Sequence, residues 1–120
     1  HIPGTRAPLP HHRGWHALVE LAATSTDRAD DLINLAAAAQ GDGLVTDMAL
    51  AKSDGESNAW WRIRDSISEA ERASGPAIQH DVSVPVDAMP QFIASNPARL
   101  DAAFPGARAI SFGHLGDGNI

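Results

Sequence analysis

The groups best suited to chemistry stand near the end of the chain, in Phe112-Gly113-His114-Leu115-Gly116-Asp117-Gly118-Asn119. A neutral imidazole offers one lone pair to a metal or a proton, while a carboxylate can orient its other nitrogen. His114 is the candidate ligand or base, and Asp117 the candidate orienting group. The glycines around them let the backbone take positive φ or come close to a large flat molecule. The same residue types also suit a tight turn with a surface histidine, and both readings stay open. The stretch is not a dinucleotide-binding fingerprint, because Gly116-Asp117-Gly118 lacks the third glycine and the helix to follow.

A second group is Trp60-Trp61-Arg62-Ile63-Arg64-Asp65-Ser66-Ile67-Ser68-Glu69. On a helix, Arg64 and Ser68 are four apart and share a face. Together they suit a carboxylate, with a charge-assisted fork from the guanidinium and one more bond from the hydroxyl. The alternative is a solvated arginine paired with Glu56, Asp65 or Glu69. Adjacent helical residues lie ~100° apart, so Trp60 and Trp61 do not both face one core. A third stretch, Gln79-His80-Asp81-Val82-Ser83-Val84-Pro85, reads equally as a strand presenting polar groups to a site or as a solvent face. His11, His12 and His16 sit in a proline-rich stretch without carboxylate support and read as bland. Neither a nucleophile elbow nor a P-loop is present.

Composition narrows the function classes. The chain of 120 residues is one domain or part of one, and its 43% hydrophobic and 20% charged content is that of a globular protein. Aromatic residues make up only 5%, so small and branched aliphatics should build the core around Trp15, Trp60, Trp61, Phe92, Phe104 and Phe112. A net charge of −6 with scattered Lys and Arg argues against nucleic acid as a partner. The absence of cysteine excludes disulfides, thiolate metal sites and cysteine nucleophiles. Apolar runs fall well short of the ~20 residues that span a bilayer, and no signal peptide opens the chain. The first residue is His1 and the last are Gly118-Asn119-Ile120, which reads as two cuts inside a longer protein.

The positioning elements follow from pattern. Residues 1–15, rich in proline and glycine, predict an extended linker, and 16–120 an α+β core truncated at its C-terminus. Short apolar runs predict strands over 17–21, 43–51, 77–84 and 107–112. The first helix should begin at a Thr26 cap with Asp27, Asp30 and Asp31 behind it, and stop at Gly41. The second should start with Asp54 as cap and end at Ser74-Gly75-Pro76. The third should start near Val86, with Pro90 harmless in its first turn and Pro97 kinking or dividing it. The order β-α-β-α-β-α-β alone would suggest a parallel doubly wound sheet. Half-polar strand faces and one-sided helices favour instead a mixed or antiparallel four-stranded sheet, with helices mainly on one face.

Three blocks, Trp61 to Ala70, His80 to Val86 and Phe112 to Ile120, together resemble the C-terminal, cap-domain half of FAD-linked oxidases. The branch is that of D-lactate, D-2-hydroxyglutarate and glycolate dehydrogenases, and the blocks stand in the family's order and at its spacing. The resemblance implies a ferredoxin-like cap domain in an enzyme that oxidises a D-2-hydroxy acid to a 2-oxo acid and passes a hydride to FAD. An FAD-binding domain of the same polypeptide would hold most of the cofactor. Arg64 would clamp the substrate carboxylate with Ser68 beside it. His114 would match the first of two histidines that bind a divalent metal such as zinc, which would polarise the substrate hydroxyl. Asn119 would approach flavin or substrate.

Many relatives carry a lysine where this chain has Gln79, so a neutral amide would meet the substrate there. The second histidine, a later acidic ligand and the proposed base would lie beyond Ile120, which implies that the chain alone is inactive. A cytoplasmic place or one at the periphery of the inner membrane would suit the family. A homo-oligomer stays among the options. The competing reading is a stand-alone α+β module that binds a small ligand or partner without redox chemistry.

Overall fold

The N-terminal turn of helix α1, Ala29–Gly41, carries Asp30 and Asp31, as the positive end of a helix dipole favours. In the computed structural model, which describes residues 2–10, 14–22 and 28–120, Arg28 reaches forward to Asp31 at 2.7 Å. That pair is exposed and contributes at most a few tenths of a kcal/mol. The predicted cap Thr26 and its neighbour Asp27 lie outside the described residues, as do His11 and His12. At the far end the chain turns back on α1: the Asp42 amide donates to the Ala38 carbonyl at 2.9 Å and the Leu44 amide to Ala39 at 2.9 Å. Gly43 closes that turn at φ +71°, a conformation that a Cβ would strain.

Helix α2, Asp54–Asp65, has Ser53 rather than Asp54 as its cap. The Ser53 hydroxyl accepts from the Glu56 amide at 3.3 Å, while the Glu56 carboxylate reaches back to the Lys52 amide at 2.7 Å. This is a reciprocal cap of the Ser-x-x-Glu kind, shifted by one residue on its return bond. The helix predicted to run on to Ser74 is broken at Ser66, and α3, Ile67–Ala73, follows. The Ser66 hydroxyl donates to the Arg62 carbonyl one turn back at 2.7 Å, the kind of local bond that competes with a continuous helix.

The expected four-stranded sheet is absent among the described residues, and the fold class is corrected accordingly: helices dominate, with only two isolated antiparallel bridges. A strand is stable only when a neighbour takes up its backbone donors and acceptors. Among the described residues, 17–21 and 107–112 find no such neighbour, and Leu18, Val19, Leu21 and Ile110 are exposed. In 43–51 local bonds dominate, with Leu44 tied to α1 and the Met48 amide held by Asp47 Oδ1 at 2.9 Å. Of 77–84, only 82–84 pairs, and it pairs with 118–120 rather than with a predicted strand.

Contacts divide the chain into two compact units, His1–Gly75 and Pro76–Ile120. The first holds α1, α2 and α3. In the second, a 3-10 turn at Val86–Ala88 leads into α4, Met89–Ala103, and lies against another 3-10 turn at Leu115–Asp117. Pro90 sits in the first turn of α4, where its missing donor does no harm. Pro97 lies inside α4, so of the expected kink or division the division does not occur. The Pro105-Gly106 turn is present, with the Ala107 amide on the Phe104 carbonyl at 3.0 Å.

Core formation also differs from expectation. Met89 is the one buried hydrophobic side chain among the described residues. Trp60, Trp61, Phe92 and Phe112 are half-buried, whereas Trp15 and Phe104 are 73% and 61% exposed and anchor nothing. Ser53→Ala removes the cap of α2 and should cost about 1 kcal/mol. The expected result is a lower thermal midpoint with unchanged helix content at low temperature, read by circular dichroism. An unchanged midpoint would contradict the capping role.

Candidate functional site

Two antiparallel segments frame the C-terminal loop. The Val82 amide donates to the Ile120 carbonyl at 3.1 Å and the Ile120 amide to Val82 at 2.9 Å, with Val84 on the Gly118 carbonyl at 3.0 Å. Within the loop, His114 and Asn119 exchange both backbone bonds, at 2.9 and 3.2 Å, around the 3-10 turn Leu115–Asp117. The result is a small clip: 82–84 against 118–120, and 119 folded back against 114.

Glycine is required at two points of this clip. Gly118 is buried at φ +72°, and a Cβ on it would fall on the Val84 carbonyl oxygen. A Cβ on Gly113 would fall on the carbonyl oxygen of Asn119. Gly116, by contrast, faces open space. The glycine pattern therefore serves backbone-to-backbone approach at two positions and leaves the third exposed.

Asn119 is the joint of the clip. Beyond its two bonds with His114, its amide nitrogen approaches Asp117 Oδ1 at 3.2 Å, and its side-chain Nδ2 donates to Asp81 Oδ1. Asp117, considered for His114 on sequence grounds, thus acts on the Asn119 backbone. Asp81 was read only as part of a polar strand face. Its partner is 38 residues away, so local pattern carried no signal for it beyond the alternation that puts it on the same side as Gln79.

Gln79, His114 and Asn119 belong to the second unit, and Arg64 and Ser68 to the first. Arg64 lies in the last turn of α2, its side chain 25% exposed, with Asp65 at 3.9 Å. Ser68, half-buried, opens α3. The step from one to the other crosses the break at Ser66 rather than following an uninterrupted helix. Gln79 and His114 are exposed.

Among the described residues no three His, Asp or Glu side chains gather as a metal ion would require. A catalytic metal takes about three protein ligands, so the described residues do not fit a complete metal site around His114. A flavin is a different case. An open backbone such as that at Gly116 suits an edge contact with a flat ring system, not the holding of a whole dinucleotide. Among the described residues, no helix is long and apolar enough to cross a membrane.

A family model described as FAD linked oxidases, C-terminal domain, matches residues 2–120. A D-2-hydroxyglutarate dehydrogenase of Xanthomonas citri pv. viticola is 35% identical over 119 residues, covering 98% of this chain and 25% of that protein. A mitochondrial D-2-hydroxyglutarate dehydrogenase of Arabidopsis thaliana is 31% identical, covering 100% of this chain and 21% of that protein. A third, from Stutzerimonas stutzeri, is 30% identical over 95% of this chain and 24% of its own length. The chain spans about a quarter or less of the length of these curated relatives. No solved structure matches it.

The clip generates a specific expectation. Gly118→Ala combines a positive φ with a clash against Val84 and should destabilise the second unit by about 1–3 kcal/mol. Hydrogen exchange should show the Val82, Val84 and Ile120 amides losing protection together. Retained protection at all three would refute the clip.

Proposed function

The chain belongs to the FAD linked oxidase C-terminal domain family, and we propose that the protein carrying it oxidises a D-2-hydroxy acid to the 2-oxo acid. The end-to-end family match carries this reading, and the names of the relatives narrow the substrate class. Bound FAD would accept the hydride from the substrate's second carbon. An FAD-binding domain of the same polypeptide is its proposed holder.

The chain's own residues take distinct roles in this proposal. Arg64 binds the substrate carboxylate: its planar fork matches two oxygens, and its partial burial strengthens the attraction relative to a fully solvated pair. Ser68 adds a hydroxyl bond to the same carboxylate. Gln79 meets the rest of the substrate with a neutral amide, which can hydrogen-bond a carboxylate without contributing charge. His114 presents its imidazole at the loop, and Asn119 presents its side-chain amide beside it. The described residues do not complete a metal site, so the reading assigns no step to a metal ion.

The test is steady-state oxidation of D-2-hydroxy acids by the full-length FAD-loaded protein, with a dye as electron acceptor. Arg64→Ala should raise KM by about 100-fold or more, the loss of a charge-assisted carboxylate contact. Arg64→Lys should recover only part of it, because a point charge lacks the fork. Unchanged KM in both variants would remove Arg64 from the substrate site. Failure of the unsubstituted protein to oxidise any D-2-hydroxy acid would remove the proposed activity.

A further inference from the structure

Asp81 and Asn119 stand in segments that the clip brings together, and the hydrogen bond between them joins side chain to side chain. An ionised carboxylate only accepts, so the Asn119 amide must turn its nitrogen toward Asp81 and its Oδ1 the other way. The backbone of Asn119 is held independently by His114 on both its N–H and its carbonyl. With the backbone fixed and the amide's flip decided, the direction in which Oδ1 presents its lone pairs is decided too. We infer that Asp81 is a positioning residue that fixes Asn119 as a hydrogen-bond acceptor for a donor group on the bound molecule.

That inference rests on the proposed function for the identity of the molecule. An acceptor oxygen recognises an N–H or an O–H. In a flavin-dependent hydroxy-acid oxidation that donor is either the substrate's 2-hydroxyl or a ring N–H of the flavin. The 2-oxo acid product has no hydroxyl to offer, which separates the two sources. Without Asp81 the amide is free to flip and present its nitrogen, a donor facing a donor. With glutamate at position 81 an acceptor-only carboxylate remains available, so the orientation is kept.

The experiment compares Asp81→Ala and Asp81→Glu in the full-length protein. Flavin-absorbance titrations give the dissociation constants of a D-2-hydroxy acid and of its 2-oxo acid, and FAD affinity is measured on the apoprotein. If the donor is the substrate hydroxyl, Asp81→Ala weakens hydroxy-acid binding by about tenfold and leaves 2-oxo-acid and FAD binding unchanged. If it is the flavin N–H, FAD affinity falls by a similar factor. In either case Asp81→Glu, which keeps an acceptor-only carboxylate at this exposed position, returns to within about threefold of the parent. The inference is overturned if Asp81→Ala matches the parent in all three constants. It is equally overturned if the two variants lose binding alike, in step with their thermal midpoints, as a merely structural residue would. Should the parent oxidise no hydroxy acid, the proposed activity falls, while the FAD constant and its rescue still decide the role of Asp81.

Discussion

The pairing of residues 82–84 with 118–120 is the constraint on which the geometry of the C-terminal loop depends. Three backbone bonds and one side-chain bond tie segments that are far apart in sequence. Each net bond contributes only about 1 kcal/mol, so none holds the clip alone. What makes the pairing specific is the steric demand at Gly118 and Gly113, where any side chain would collide with a carbonyl. The backbone must come that close for Asn119 to bridge His114 on one side and Asp81 on the other.

Local hydrogen bonding, more than burial, organises this chain. Met89 is the sole buried apolar side chain among the described residues, while Leu35, Leu44, Ile78 and Leu115 stand exposed. Burying such side chains is ordinarily the main favourable term in folding. Here the visible order comes instead from caps and turns: Ser53 and Glu56 at α2, the Asp42 to Leu44 turn after α1, and the 3-10 turn before α4. These devices are local, each bond joining residues no more than five positions apart.

That division explains what could be read from the residues. Signals that act within a few positions were legible: the acidic first turn of α1, its stop at Gly41, Pro90 in a helix start and the Pro105-Gly106 turn. The cap of α2 was misplaced by one residue, because Ser53 and Asp54 both have the capping chemistry and only the bond to Glu56 separates them. Strands were over-read. Alternation such as Ile78, His80, Val82, Val84 describes a face but not a neighbour, and only the last part of it finds one. Pro97, expected to kink or divide its helix, lies inside α4, which runs past it to Ala103. The family blocks were legible because they combine residue identity with order, and His114 and Asn119 do come together in the loop. Asp81 was not legible as the partner of Asn119, because no short-range pattern marks a contact of that span.

The proposed activity is hydride transfer from the second carbon of a D-2-hydroxy acid to a flavin of the full-length protein, with residues of this chain proposed to hold the acid. Rapid mixing of the full-length FAD-loaded protein with a D-2-hydroxy acid, protonated or deuterated at that carbon, measures the step directly. The account predicts loss of the oxidised-flavin absorbance, slowed severalfold by deuterium, and no such loss with the L-enantiomer. A flavin that stays oxidised with every D-2-hydroxy acid, or is reduced at the same rate by both isotopologues and both enantiomers, would contradict it.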